Sequence, residues 1–415
     1  MQYFMYLKIK LAFRNVFRNR TRSLITISAI AFGCMSIIFA GGFMDYTIMY
    51  TREEYIRNIL GHIQIARKGY FEKGIALPFD MTIPEPDGVI RKVASVEHVK
   101  HVAPRVEFGG IISTGENAVP FIGLGGDPDV EKAINSIKKI TSGENLEAGD
   151  TYKAIMGGGL AQSIMAKVGN NLVMVASTKG GIINAFDISL KGIFRTGDKA
   201  YDDRVVRMPI ETVRQLLSAS EHTHALVILL DDTQNTDKVM ERLVKLIREN
   251  SLDLEAKPWH DLAEADYIHK AVAFLGRILL VLKLMIIIIV VLSIFNTMNM
   301  SVTERTGEIG TIMALGNTRK EVLSLFLTEG FILGIIGGGM GLVGGYIIAS
   351  FVSWIGIPMP AAPGASLDWV ARINIVPKVF LHTYALAIVS ALASSYYPAL
   401  KASKIEIAQA LRYNI

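Results

Sequence analysis

The chain has 415 residues, of which 51% are hydrophobic and 20% are charged, and its net charge is +5. The apolar excess over a soluble globular chain is modest, which excludes a protein embedded in lipid along its whole length. The single cysteine, Cys34, excludes an intramolecular disulfide, so any water-facing domain must fold by burying apolar surface.

The basic charge is concentrated at the start of the chain. Residues 1–22 contain six Lys or Arg residues and no acidic residue, and they precede a long apolar run. This arrangement favours a membrane surface over nucleic acid as the partner. We therefore expect a cytoplasmic amphipathic basic segment at 1–22, contact with membrane lipid, and no nucleic-acid partner.

The apolar run at 23–44 is the first predicted transmembrane helix (TM1). It contains no charged residue, and as a helix it would extend about 33 Å, enough to cross the hydrocarbon core. A cleaved signal peptide is the alternative, but its apolar region would be about 7–15 residues long. The stretch 31–34 also resembles a lipoprotein cleavage box, although Phe32 fits poorly and apolar residues continue past Cys34. An uncleaved helix is the better interpretation.

Three further runs predict TM2 at 278–302, TM3 at 323–352 and TM4 at 379–400. Lys and Arg are concentrated at 1–22, in the loop 303–322 and in the tail 401–415, whereas the loop 353–378 carries only Arg372 and Lys378. The positive-inside rule then places both termini in the cytoplasm and the segment 45–277 outside it. The localisation predicted is a multi-pass protein of the inner (cytoplasmic) membrane with a large periplasmic domain.

Glycines recur every four residues along TM3. Small residues at this spacing form a smooth stripe that another helix can approach closely. The sequence Gly339-x-Gly341-x-x-Gly344 also matches the dinucleotide-binding fingerprint, but no strand precedes it and it lies within a predicted span. We expect helix packing at Gly334, Gly337, Gly338, Gly341 and Gly345.

The segment 45–277 alternates between strand-like and helix-like patterns. Alternating apolar residues predict strands within 62–66, 99–114 and 119–124. Further strands are predicted within 172–176, 186–194 and 225–230, and helices within 157–169, 210–218 and 236–250. Helices at 45–60 and 261–283 would continue TM1 and TM2 out of the membrane as stalks. The predicted fold class is a membrane α-helical protein of four transmembrane helices, with a large α+β extracytoplasmic domain inserted between helices 1 and 2.

The segment 45–277 contains few residues in patterns typical of catalytic or metal-binding sites. His222 and His224 would share a face of a strand, but no third metal ligand accompanies them, so an exposed loop before a strand is the better interpretation. Ser136-x-x-Lys139 matches a serine–lysine signature without the other motifs that would support it. We therefore predict no catalytic residue and no metal site, and hence no enzyme activity in this chain.

The loop 303–322 is the most informative segment. Ile309, Ile312, Met313 and Gly316 follow helical spacing and predict a short amphipathic helix. Gly316 can end that helix, and the pair Thr318 and Glu321 forms a capping box that can start TM3. This short, partly apolar helix would either rest on lipid headgroups or bind a cytoplasmic protein.

At this loop the chain resembles the FtsX/MacB/LolC–LolE superfamily of ABC transporter permeases. The matching residues include Glu304-Arg305-Thr306-x-Glu308-Ile309-Gly310, Ala314-Leu315-Gly316 and Glu329, followed by the glycine-rich TM3. The tail from Pro398 to Arg412, the basic start, and the stretches 159–169 and 192–194 extend the resemblance over most of the chain. Ile407 stands where many members carry proline.

The resemblance implies a MacB-like periplasmic core domain at 45–277 and a coupling helix that seats in an ABC ATPase. The residues it assigns to that contact are Glu304, Arg305, Glu308, Ile309, Ile312, Met313, Leu315 and Gly316. It also implies mechanotransmission, in which ATP hydrolysis moves the periplasmic domain. Because the chain has no GxxxxGK[ST] motif, we expect no cofactor bound to it and ATP with Mg on a separate ATPase.

The expected partners are two copies of that cytoplasmic ATPase and a second permease chain, in a homodimer or a heterodimer. A periplasmic adaptor or carrier is a further candidate partner. The expected cargo is a lipoprotein, lipid-like or other hydrophobic envelope molecule. The alternative function is an FtsX-like signalling permease that activates an envelope hydrolase, although such proteins usually have a smaller external domain.

Overall fold

The computed structural model describes residues 2–73, 80–83, 85–134, 138–219, 222–361 and 367–412. The chain divides into two compact units. The first, here called the membrane unit, comprises Met1–Ile48, Ala271–Pro358 and Val370–Ile415. The second, here called the outer domain, comprises Met49–Lys270 and Met359–Trp369.

Helices make up almost all of the described membrane unit. Four helices within the described residues are long and apolar enough to cross a membrane, and each contains one predicted span. They are α2 (Arg20–Tyr55), α10 (Asp266–Glu304), α12 (Arg319–Ile355) and α13 (Pro377–Ser403). Shorter helices are α1 (Gln2–Arg18), α11 (Thr306–Ala314) and α14 (Ile407–Arg412). Two three-residue strands, β11 (Ile357–Met359) and β12 (Trp369–Ala371), pair with each other.

The outer domain is built on one ten-stranded sheet. The strands are β1 (Ile63–Arg67), β2 (Val99–Ser113), β3 (Ala118–Gly126), β4 (Lys139–Gly143), β5 (Lys153–Gly157), β6 (Asn171–Ser177), β7 (Ile183–Arg195), β8 (Val205–Pro209), β9 (Ala225–Leu230) and β10 (Leu254–Pro258). The helices are α3 (Tyr70–Lys73), α4 (Pro86–Ala94), α5 (Pro128–Ile134), α6 (Gly158–Ser163), α7 (Lys199–Asp202), α8 (Ile210–Leu216) and α9 (Thr236–Glu249). Mixed helices and strands in this domain confirm the predicted α+β class.

One lobe of the outer domain has the strand order β10-β1-β9-β2. Helix α4 connects β1 to β2, and α9 connects β9 to β10, which is the split βαβ arrangement of ferredoxin-like folds. The apolar faces of α4 and α9, through Val93 and Leu243, pack on strand residues such as Ile65 and Ile228. This packing buries the lobe's core.

The second lobe is formed by strands inserted between β2 and β9. The pairings β2-β3, β3-β8, β8-β5, β5-β7, β7-β6 and β6-β2 close a ring of six strands. Its apolar core includes Phe108, Met156 and Leu172, with α6 and α8 contributing Leu160 and Val213. The second half of the long strand β2 belongs to this ring, whereas its first half pairs with β9 in the other lobe.

Two predictions about the outer segment were wrong. The helix expected from residue 261 begins only at Asp266, because two short 3-10 turns, Trp259–Asp261 and Ala263–Ala265, precede it. His224 is fully buried and does not lie in an exposed loop: its Nδ1 accepts a hydrogen bond from the Glu107 backbone N–H at 2.9 Å. Ser136 lies outside the described residues.

Candidate functional site

Helix α11 lies between α10 and α12, and its ends are set by local signals. Gly316 has φ of +102°, a conformation that glycine adopts without strain, and it follows the C-terminal residue Leu315. Thr318 then caps α12: its Oγ1 accepts from the Glu321 backbone N–H, and the Glu321 carboxylate accepts from the Thr318 backbone N–H at 2.8 Å. The capping box predicted from the sequence is therefore present.

The apolar stripe of α11 faces its own chain. Ile309 is 3% exposed and belongs to the same apolar cluster as Phe326 of α12, and Met313 packs against that cluster. The tail helix α14 packs against α11 and buries Ala410. These contacts anchor the inner side of α11, so Ile309 and Met313 support the helix from within the bundle.

A buried carboxylate connects α11 to two other elements. Glu329 of α12 is 3% exposed, and its Oε1 accepts from the Arg305 guanidinium and from the Asn15 amide of α1, each at 2.8 Å. The Arg305 guanidinium also lies 5.3 Å from the ring centroid of Phe326. An ionisable residue inside a membrane span is costly unless it is paired, and such residues usually have a function.

Two more ion pairs join the basic N-terminal segment to α11 and to the end of α10, which precedes it. Arg18 lies 2.6 Å from the Glu308 carboxylate, and Arg22 pairs with Glu304. Burial disfavours ionisation of Glu308, yet Arg18 and Arg305 hold the pKa of its carboxyl below its usual value. The sequence patterns did not reveal this network, since Asn15 and Arg18 are about 300 residues from their partners.

The other side of α11 and the turn after it face away from the chain. Leu315 is 81% exposed, and Ala314 and residues 316–320 are exposed as well. Ile312 is half-buried. The eight residues predicted for coupling thus divide into a supporting group, which includes Arg305, Ile309 and Met313, and an exposed tip around Leu315 and Gly316.

The glycines of α12 form two separate packing faces. A Cβ added to Gly334 would lie 2.9 Å from the Ala391 Cβ of α13, and one on Gly338 would lie 3.0 Å from the Tyr384 ring. On the other face, a Cβ on Gly337 would lie 2.7 Å from the Ile30 Cβ of α2. These glycines let both neighbouring helices approach closely.

The glycines nearer the end of α12 continue the second face. A Cβ on Gly345 would lie 2.9 Å from the Ile38 Cδ1 of α2, and one on Gly341 would collide with Cys34. Helix α12 therefore packs simultaneously against α2 and α13, and the apparent nucleotide fingerprint is part of this uninterrupted helix.

Comparison with known families agrees with this arrangement. Residues 23–246 match the MacB-like periplasmic core domain, and residues 280–407 match the FtsX-like permease C-terminal domain. The chain belongs to the FtsX/MacB/LolC family of ABC transporter permeases. The family identified from the sequence is thereby confirmed, and the matching relatives support a role in transport. Family membership implies an ABC ATPase and a permease as partners.

Several relatives resemble the chain over different lengths. An uncharacterised ABC transporter permease of Methanocaldococcus jannaschii is 23% identical over 97% of both chains. The lipoprotein-releasing system transmembrane protein LolC of Neisseria meningitidis is 22% identical over 65% of this chain and 67% of its own length. The crystal structure of the extracellular domain of the transporter YknZ covers 48% of this chain and all of that chain, with 12% identity and a TM-score of 0.36.

Proposed function

We propose that this permease converts ATP hydrolysis by a separate ATPase into movement of its outer domain, and thereby extracts or exports a hydrophobic envelope cargo. In this proposal the chain lies in the inner membrane with both termini in the cytoplasm. The ATPase binds to the exposed tip of α11 around Leu315. The observation that carries the proposal is the combination of this exposed apolar tip with the firmly anchored inner side of the same helix.

The anchoring explains how a force at the tip could reach the spans. A partner that displaces α11 would pull on Arg305 and therefore on Glu329 of α12. The same displacement would act on α1 and the start of α2 through the Arg18–Glu308 and Arg22–Glu304 pairs. Helix α2 then runs without a break from Arg20 to Tyr55, and α10 from Asp266 to Glu304. Both helices continue from the membrane unit into the outer domain.

The proposed class of cargo is supported by the polar groups of TM3 and by one relative. Glu329 is the conspicuous acidic group within the described part of TM3, and its carboxylate is occupied by Arg305 and Asn15. A polar cargo crossing the membrane would require polar side chains free to replace its hydration shell. A cargo taken from the membrane or the periplasm does not have this requirement. The similarity to a LolC protein, whose name describes lipoprotein release, supports the same class of cargo.

The substitution Leu315→Asp tests the ATPase contact. Since Leu315 is 81% exposed, the change should leave the thermal stability of the chain unaltered but place a charge in the apolar contact. We expect at least a tenfold loss of co-purification of the ABC ATPase that accompanies the wild-type chain. Glu308→Lys is less discriminating, because Glu308 also pairs with Arg18 and Arg305.

A matched control is Ile182→Asp, which makes a similar change at a 72% exposed residue of the outer domain. This variant should retain the ATPase. Equal recovery of the ATPase with the Leu315→Asp variant and with the wild-type chain would contradict the proposed contact. Failure of the wild-type chain to associate with any ABC ATPase would contradict the proposed function as a whole.

A further inference from the structure

The end of helix α2 in the outer domain is held in an unusual way. After Tyr55 the helix continues as a π-helical turn, Ile56–Leu60, and the chain then turns away at Gly61. The last carbonyl groups of a helix have no partner within the helix and must find one elsewhere. Here the guanidinium of Arg207 donates to the Asn58 carbonyl, and that of Arg105 donates to the Ile59 carbonyl, each at 2.6 Å.

These two arginines are themselves fixed by one carboxylate. Glu131 of α5 accepts from Arg105 at 2.6 and 3.1 Å and from Arg207 at 3.2 Å. The Arg207 guanidinium also donates to the Tyr201 hydroxyl at 2.7 Å. The exposed fractions of the side chains are 4% for Arg105 and 6% for Arg207. Burial strengthens such contacts, because water does not compete for the donors.

The charges of this cluster favour a helix end as an additional partner. Both guanidinium groups pair with Glu131, and the charges of Glu107 and Lys138 also act on this cluster. A helix C-terminus carries roughly half a negative charge on its free carbonyls. The end of α2 therefore places partial negative charge against the two guanidinium groups, and the arginines supply the hydrogen bonds that its carbonyls lack.

The positions of the two arginines in the sheet determine which strands are connected to the end of α2. Arg105 lies where β2 passes from one lobe to the other, since it pairs with Ala225 of β9 and with Gly126 of β3. Arg207 lies on β8, opposite Leu124 of β3 and Ile155 of β5. The end of α2 is thus attached to β2, which both lobes share, and to β8 of the second lobe.

We propose that Arg105, Arg207 and Glu131 form a clamp that transmits axial displacement of α2 to the whole sheet of the outer domain. This inference rests on the proposed function, because it assumes that ATP hydrolysis displaces α2. The three residues are positioning residues, because they act through the end of α2 and the strands that carry the arginines. Without the clamp, the helix end would move while the sheet lagged behind.

Arg207→Lys is the decisive substitution. It keeps the positive charge beside Glu131, but one ammonium group cannot replace a planar fork that binds Glu131, Tyr201 and the Asn58 carbonyl together. The matched control is Arg242→Lys in the same domain, where the guanidinium forms a surface ion pair with Glu97 at 2.7 Å. Each variant is prepared as the full chain in nanodiscs with the ATPase that co-purifies with it.

The measurement is hydrogen exchange of peptides covering β2, β3 and β8, compared between nucleotide-free and ATP–vanadate-trapped complexes. In the wild-type and Arg242→Lys complexes, trapping should change exchange in these strands. In the Arg207→Lys complex the change should be at least fivefold smaller, while ATP hydrolysis stays within twofold of wild type. Arg105→Lys, which should spare the Glu131 contact but lose the Ile59 carbonyl, should give the same result and decides the question if Arg207→Lys fails to fold.

Two other outcomes would overturn the clamp, and they differ from each other. A trapping-dependent change of wild-type size in both lysine variants would show that the sheet follows α2 without the clamp, and would leave the proposed function intact. No change in the wild-type complex would overturn the proposed function and the clamp with it.

Discussion

Two carboxylates, the buried Glu329 in the membrane unit and the partly buried Glu131 in the outer domain, hold arginines from other elements, but they do so differently. Glu329 in the membrane unit binds one guanidinium and one amide. Glu131 in the outer domain binds two guanidinium groups, which in turn hold the end of a helix. The remaining ion pairs of α11, such as Arg18–Glu308, are largely exposed and therefore weak.

The difference indicates which junction can rearrange. Helix α11 is attached through one buried ion pair and a few apolar contacts, which is fewer buried polar contacts than hold the end of α2. The end of α2 is held by several buried contacts at once, and His62 adds to them: its Nε2 lies 2.9 Å from the Thr233 hydroxyl, which donates to Glu53 of α2 at 2.6 Å. In the proposed function, α11 is the input of the movement and the end of α2 is its rigid output.

The largest expected effect is at Glu329. Glu329→Leu would remove the buried carboxylate that binds Arg305 at 2.8 Å and leave the guanidinium only the partly exposed Glu308 at 3.3 Å. Loss of one partner of a buried ion pair typically costs about 3–5 kcal/mol. Adding Arg305→Leu should recover at least half of that loss, because no uncompensated charge would remain. The cycle compares the wild type, the two single variants and the double variant. The free energy of unfolding of each chain is measured in detergent. A double variant no more stable than Glu329→Leu alone would show that Arg305 is not the main partner.

A double-mutant cycle of the same kind at Glu131 tests whether the carboxylates of the two units differ. Since this carboxylate holds two arginines, Glu131→Leu combined with Arg105→Leu still leaves Arg207 unpaired. We expect much less recovery there than for Glu329 with Arg305. Equal recovery in both units would remove the distinction between a single and a shared ion pair.

The next effect is a pH dependence of the outer domain. Burial lowers the pKa of His62 to about 4. The charge of Glu53 raises this pKa and that of Arg57 lowers it, and the folded state keeps the ring neutral. The unfolded ring takes up a proton near pH 6.5, so between pH 6.5 and 4 the unfolded state binds more protons. The free energy of unfolding should therefore fall by about 3 kcal/mol from this group as the pH drops through that window.

Denaturant unfolding at several pH values measures this dependence. The substitution His62→Gln should flatten the decline between pH 6.5 and 4, whereas His101→Gln should leave it unchanged. A His62→Gln variant with the wild-type slope would show that other groups cause the loss of stability, and that His62 is not part of the rigid output.

The smallest expected effect concerns the glycine faces of α12. Gly337→Leu places a side chain where a Cβ alone would lie 2.7 Å from Ile30, and overpacking of this kind typically costs about 1–3 kcal/mol. Gly339→Leu is the matched control on the same helix, because a Cβ there would meet nothing within 4 Å. Thermal unfolding in nanodiscs should separate the two variants by several degrees. Equal melting temperatures would mean that α2 and α12 do not pack as closely as described.

Local patterns in the sequence determined much of the architecture. Long apolar runs with at most one charged residue predicted the four spans, because a span needs about twenty apolar residues whatever its neighbours are. The Thr318–Glu321 capping box and strand β9 at Ala225–Leu230 were also readable, since both depend on residues adjacent in the chain. Strands β5 and β8 were missed, because a five-residue run that contains a charged residue shows neither clear alternation nor the unbroken apolar stretch of β9.

Only the tertiary structure decided which side chains meet. Asn15, Arg305 and Glu329 are brought together from three helices, and Arg105, Glu131 and Arg207 from two strands and a helix. Their spacing in the chain follows no period, because each contact is set by how whole elements pack. The sequence therefore predicted the family and the coupling helix, whereas the direction that its apolar stripe faces, and the clamp at the end of α2, depended on long-range packing.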